Sequence, residues 1–196
     1  MQRRDIDEFI LLDINATKER REPNYAKVEE YARELYCPLT IGGGISEIRH
    51  IKNLFNAGAD KVAVKTATKL IPEAVQKFGA QSIVAVVDMT GDNYWYYGLD
   101  CQYKAKVGVG EILLTGVKKE GTRQGYDISL IQWAKRCCKI NIPIIINGGC
   151  GTPEHMLEAL NAGAHAVAAS SIFLFTDWTP KSCAKYLHEH GIQVRL

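Results

Sequence analysis

The chain has 196 residues and a formal charge of +2, with 46% hydrophobic and 23% charged residues. That balance fits one well-buried globular domain over 1–196, and it is too weakly basic to predict nucleic-acid or membrane-surface binding. No apolar run approaches the length of a membrane span, and Met1-Gln2-Arg3-Arg4 opens without an apolar signal block, so a cytoplasmic protein is expected.

Short apolar runs alternate with helical patterns along the chain. The first run, 8–13, leads into an amphipathic stretch at 25–35. A second run, 38–41, precedes Gly42-Gly43-Gly44, then Ser46 as an expected helix cap, then a helical pattern at 48–57. The runs 61–64 and 82–87 follow, ending at Lys65-Thr66 and Asp88. Between Asp88 and Glu111 the chain reads as too short for a loop and a full crossover helix. Three further runs lie at 111–115, 143–146 and 166–169. After 143–146 come Asn147-Gly148-Gly149-Cys150-Gly151, a Thr152 cap, Pro153 in the first turn and a pattern at 153–162. Near-continuous apolar strands alternating with helices predict a parallel sheet covered by helices, and no linker divides the chain.

An internal repeat sharpens this to a topology. Residues 38–66, moved by 105 positions, lie on 143–171 without a gap and match at 11 of 29 positions. The matches include Gly43 with Gly148, Gly44 with Gly149, His50 with His155, and Asn56-Ala57-Gly58-Ala59 with Asn161-Ala162-Gly163-Ala164. The offset spans four strands, so the unit is half a barrel, and two such units predict a TIM (β/α)8-type barrel. The run 111–115 finds its mate at 8–13, whereas the mate of 82–88 would fall before Met1, so the first strand is expected to be absent from this chain. A duplicated unit on an open doubly wound sheet is the competing topology.

Glycine lets backbone approach an anion closely, and free amides at a helix start attract negative charge. The turns at Gly43-Gly44 and Gly148-Gly149, with Lys65, Thr66, Ser170 and Ser171 at neighbouring strand ends, therefore predict one phosphate site per half. Two sites would grip a substrate with a phosphate at each end. The same glycines would also serve a plain tight turn between strand and helix. Cys37, Cys101, Cys137, Cys138, Cys150 and Cys183 form no Cys-x-x-Cys pair, so buried thiols are expected and no metal or cofactor is predicted. His188 and His190 flank Glu189 on what reads as a solvated helix face.

Leu12-Asp13-Ile14, the segment from Pro38 to Gly44, Asp60-Lys61-Val62, Gly110-Glu111-Ile112-Leu113-Leu114-Thr115, Gly125-Tyr126-Asp127 and the tail from Tyr186 to Leu196 together resemble the cyclase subunit family of imidazole glycerol phosphate synthase. The resemblance covers nearly the whole chain in the family's order. It implies a barrel that takes ammonia from a separate glutaminase subunit docked at its N-terminal face. In the histidine pathway that ammonia adds to a bis-phosphorylated ribulosyl substrate.

The resemblance also assigns roles. Asp88 matches the family's catalytic aspartate at a strand end, where a carboxylate can pick up and return protons; an Asp capping the following turn is the bland reading. The second catalytic aspartate belongs to the first strand and has no counterpart here. Thr115, Glu120 and Gly121 fall in the family's sixth loop, but Lys118 and Glu120 stand where the histidine enzymes usually carry aspartates. Asn147 adjoins the second glycine turn among the substrate-binding positions. Glu8, Lys61 and Glu111 match three of the four charged residues of the family's ammonia gate, against strand-edge charges in water as the alternative.

Asn15-Ala16-Thr17-Lys18 and Arg21-Glu22-Pro23-Asn24 are more similar to paralogues that support acetamidino modification of surface sugars. Three functions thus compete: an ammonia-using cyclase, a sugar-amidation paralogue, and a conduit that passes ammonia on without chemistry of its own. A single-chain aldose-ketose isomerase barrel ranks below them, since it needs no gate.

Overall fold

The computed structural model describes residues 6–90, 94–138 and 142–196. Residues 1–86 with 106–110 gather into one compact unit, and 87–105 with 111–196 into a second.

The first unit is built from β1 (Phe9–Leu12), α1 (Tyr25–Glu34), β2 (Leu39–Gly42), α2 (Ile48–Asn56), β3 (Lys61–Val64), α3 (Ile71–Phe78) and the first residues of β4 (Ile83–Met89). Its strands run parallel in chain order, with Phe9 opposite Leu39, Thr40 opposite Lys61 and Val62 opposite Ile83. All four residues of β2 are buried, as a strand covered on both faces must be. Helix α2 turns His50, Ile51 and Leu54 inward, the spacing of one helical face, and Phe55 meets Phe78 of α3 at 5.1 Å between ring centroids.

The second unit holds the end of β4, most of α4 (Tyr94–Val107), then β5 (Glu111–Gly116), α5 (Ile128–Cys138), β6 (Ile144–Asn147), α6 (Pro153–Asn161), β7 (Ala166–Ala168), α7 (Ser171–Phe175) and α8 (Pro180–Glu189). β5, β6 and β7 are again parallel, with Ile112 opposite Ile144 and Ile146 opposite Val167. Ile112, Leu113, Leu114, Leu130, Ile131 and Ile146 are its inaccessible core.

Two expectations need correction. The stretch between Asp88 and Glu111 does hold a helix: α4 is 14 residues long and starts at Tyr94, so the connection before it is short rather than the helix missing. Ser46 does not cap α2; the cap position is Glu47, and the Ser46 N–H donates to His50 Nδ1 at 3.2 Å. Cys101, Cys150 and Cys183 are buried free thiols and Cys37 is half-buried, whereas the side chains of Cys137 and Cys138 lie outside the described residues. His190, the exposed residue that caps the end of α8, stacks on half-buried Tyr186 at 4.0 Å.

The duplication extends into backbone detail. Leu39 N–H donates to the Asp60 carboxylate at 2.8 Å, and its mate Ile144 N–H donates to His165 Nδ1 at 3.1 Å. The cap residues Glu47 and Thr152 share one conformation (φ −142, ψ 156 and φ −147, ψ 162), and neither makes a side-chain cap bond. Ahead of these segments the offset becomes 103. Phe9 N–H donates to Pro38 O as Ile112 N–H does to Pro143 O, and Asn24 caps Lys27 N as Asp127 caps Leu130 N. Arg20 and Arg123, the mates at that offset, are the non-glycine residues with positive φ among the described residues, at 52° and 59°.

Candidate functional site

Each unit carries its glycine turn at the C-terminal end of a strand. In the first, Gly43 and Gly44 have φ of 106° and 71°, values an L side chain resists. The loop 13–24 lies directly on them. A Cβ on Gly43 would stand 2.3 Å from Asp13 O, and one on Gly44 would stand 2.7 Å from Arg21 O. These glycines are therefore required by the covering loop as well as by any approaching anion.

Beside this turn is a cavity of about 760 Å³, lined by Gly44, Ser46 and Thr66 and by a cationic wall of Arg20, Arg21, Arg49 and Lys69. Two of those cations are committed. Arg21 holds the Asp13 carboxylate through two bonds of 2.6 and 2.9 Å and reaches Glu19 as well. Arg49 holds Glu22 at 2.6 Å and Glu47 at 2.7 Å. The Arg21 guanidinium holds the Asp13 carboxyl below its ordinary range, and Arg49 does the same for Glu22. Arg20 and Lys69 make no ion pair with the described residues, so they are the cations left to meet an anion. Sequence reasoning named Lys65 and Thr66, both exposed at the end of β3, but missed Arg20 and Lys69. The available signal was two cations in loops that follow strand ends.

In the second unit Gly148 and Gly149 have φ of 93° and 105° and are covered by the loop 116–127. A Cβ on Gly149 would stand 2.2 Å from Gly125 O, and one on Gly148 would stand 2.8 Å from Gly116 O and 3.1 Å from Glu120 Cγ. Asn147 Nδ2 donates to Glu120 Oε1 at 3.2 Å and approaches Thr115 Oγ1 at 3.4 Å. Thr115, Asn147 and Glu120 thus form a short polar chain at the end of β5 and β6. Gly121 has φ of 72° and open space around it. Ser170 stands just before α7 and Ser171 is its first residue. Arg123, the mate of Arg20, donates to Phe175 O at 3.3 Å and lies 5.5 Å from the Phe175 ring centroid. Beneath the turn, burial raises the phenol of Tyr126 and the thiol of Cys150, and pushes the Cys183 thiol up to about 12.

Asp88 is the next-to-last residue of β4 and is half-buried, a placement that gives a carboxylate both a fixed backbone and access to a ligand. At the opposite, N-terminal strand ends of the first unit, Lys61 Nζ lies 2.7 Å from Glu8 Oε2, and Thr40 Oγ1 donates to Glu8 Oε1. Both side chains of the ion pair are only about one-fifth exposed. A partly buried pair of this kind needs its additional hydroxyl donor to offset desolvation. Glu111 opens β5 in the second unit. No helix among the described residues is long and apolar enough to cross a membrane, and no group of three or more His, Cys, Asp or Glu among them could hold a metal ion.

Parallel strands with a duplicated, loop-covered glycine turn at their C-terminal ends define an α/β protein of the (β/α)8-barrel class. A family model described as "Histidine biosynthesis protein" matches residues 1–179, and the chain belongs to that family. It is 39% identical over 210 residues to the putative imidazole glycerol phosphate synthase subunit hisF2 of Campylobacter jejuni, covering 98% of this chain and 83% of the relative. It is also 39% identical over 207 residues to the imidazole glycerol phosphate synthase subunit HisF of Exiguobacterium sibiricum, covering 96% of this chain and 82% of the relative.

Proposed function

We propose that this chain is the cyclase-type subunit of an imidazole glycerol phosphate synthase, a lyase of histidine biosynthesis that uses ammonia from a glutaminase partner. The observation that carries the reading is the repeated glycine turn, one in each half, which supports one anion cradle per phosphate of a bis-phosphorylated substrate. In the first half Gly43, Gly44 and Thr66 offer amides and a hydroxyl, and Arg20 and Lys69 add positive charge. Gly148, Gly149, Ser170 and Ser171 serve the second phosphate.

Asp88 acts as the general acid/base, supported by its half-buried position at a strand end. Glu120, steadied by Asn147, supplies a second carboxylate. Glu8 and Lys61, with Glu111, form the ammonia gate, and the glutaminase docks on the face they occupy.

The test is direct. The full complex, given ammonium salt and the bis-phosphate substrate, is expected to release imidazole glycerol phosphate, and Asp88→Asn is expected to lower that rate by about 100-fold or more. A second reading, support of acetamidino modification of surface sugars, draws on Lys118 and Glu120 in the sixth loop. Absence of the imidazole product with the wild-type complex would favour that reading. Product formation untouched by Asp88→Asn would point to an ammonia conduit.

A further inference from the structure

We infer that His50 and His155 are a matched pair of positioning residues that set the two anion turns; the inference rests on the phosphate-binding reading above. Each is the third residue of its helix, α2 or α6, and each accepts at Nδ1 the backbone N–H four residues earlier. Ser46 N lies 3.2 Å from His50 Nδ1, and Gly151 N lies 3.1 Å from His155 Nδ1. An imidazole that accepts at Nδ1 and is neutral carries its proton on Nε2, so both rings are fixed in one tautomer.

The other edge of each ring meets the covering loop at mated positions. His50, 2% exposed, brings Nε2 to 3.6 Å from the Glu22 carboxylate. The His155 ring lies where a Cβ on Gly125 would stand 3.4 Å from Cδ2 and 3.6 Å from Nε2. Glu22 and Gly125 are related by the same 103-residue offset as Arg20 and Arg123. Each histidine therefore joins glycine turn to overlying loop, in both halves, although the loops themselves share almost no residues.

The residue type has a physical reason. The third helical position usually reaches back to a preceding amide with Glu or Gln. A carboxylate there would oppose an anion bound at the adjacent turn, whereas a neutral imidazole satisfies the amide without adding negative charge. Neither cap residue uses its side chain on the helix amides, so the imidazole is the group that pins this bend.

The experiment measures inorganic phosphate binding to the full chain by calorimetry, with His155→Leu, His155→Gln and His155→Asn and the same series at His50. Asn places its carbonyl near the Nδ1 position, whereas Gln places it near Nε2. The Leu and Gln variants are expected to bind phosphate about tenfold more weakly and Asn within about threefold of wild type, the scale of one lost hydrogen bond. In the complex, KM for the bis-phosphate substrate should rise by the same factor while kcat holds. If a Leu variant does not fold, the Asn and Gln pair decides. Equal binding by Asn and Gln, or a kcat loss with KM unchanged, overturns the inference while leaving the cradles in place. Failure of wild type to bind phosphate overturns the cradle reading and this inference together.

Discussion

Replacing Gly149 by Ala tests whether the covering loop, rather than the turn alone, requires glycine. The added Cβ would sit 2.2 Å from Gly125 O, a backbone atom that cannot move without displacing the loop. The residue's φ of 105° is also outside the range an alanine adopts easily. Strained backbone costs about 1–3 kcal/mol and overpacking about 1–3 kcal/mol more, so a loss near 4 kcal/mol is expected. For a chain of this size that lowers Tm by about 8–16 °C. Gly121→Ala is the control, because Gly121 has a similar sign of φ (72°) but nothing within 4 Å of its added Cβ. That change should cost only about 1 kcal/mol, or about 2–4 °C. Differential scanning calorimetry of the two variants reads the difference. Melting temperatures within about 3 °C of each other would refute the loop-contact argument.

Four more outcomes are expected. At pH 8, iodoacetamide should modify Cys37 in the native chain and leave Cys101, Cys150 and Cys183 until unfolding, which peptide mass mapping can follow. The Cys183 thiol is raised from an ordinary 9.0 to about 12, so the folded state holds that proton more tightly; stability is full below pH 9 and falls as pH rises from 9 toward 12, as urea midpoints across that window will show. Glu120→Gln removes a negative charge beside Gly148 and should tighten phosphate binding about fivefold, roughly 1 kcal/mol for a solvent-screened charge, while lowering kcat; weaker phosphate binding would contradict that placement. Lys61→Met breaks the Glu8 pair and should reduce glutamine-driven turnover more than ammonium-driven turnover, and equal losses would remove the gate.

The strands were readable because each is a short apolar run, largely buried from β2 to β6 and partly exposed in β1 and β7. The runs 8–13, 38–41, 61–64, 82–87, 111–115, 143–146 and 166–169 agree with β1 to β7 to within one or two residues. The glycine turns were readable because their residues are duplicated outright. The covering loops were not. Between 13–24 and 116–127 only Arg20 and Arg123 are identical, so the backbone repeats while the side chains do not. Ser46 looked like a cap because its residue type favours that role; His50, four residues on, holds its amide, a local contact that the residue type of Ser46 does not reveal. Arg20 and Lys69 escaped notice because a cation near a turn is common, and only the cavity places both on one wall.

The change of offset from 103 to 105 falls between the loop caps, Asn24 and Asp127, and the strands β2 and β6. Two additional residues in the second half are thus absorbed by the helix and its return connection, while 13–24 and 116–127 keep the same length up to the cap. Length can drift on the return path without disturbing the ligand side. The two loops are therefore cassettes of equal length: transplanting 13–24 into the place of 116–127 exchanges chemistry while preserving the chain's path, which gives such a duplicated fold a route to new substrates that leaves its frame unaltered.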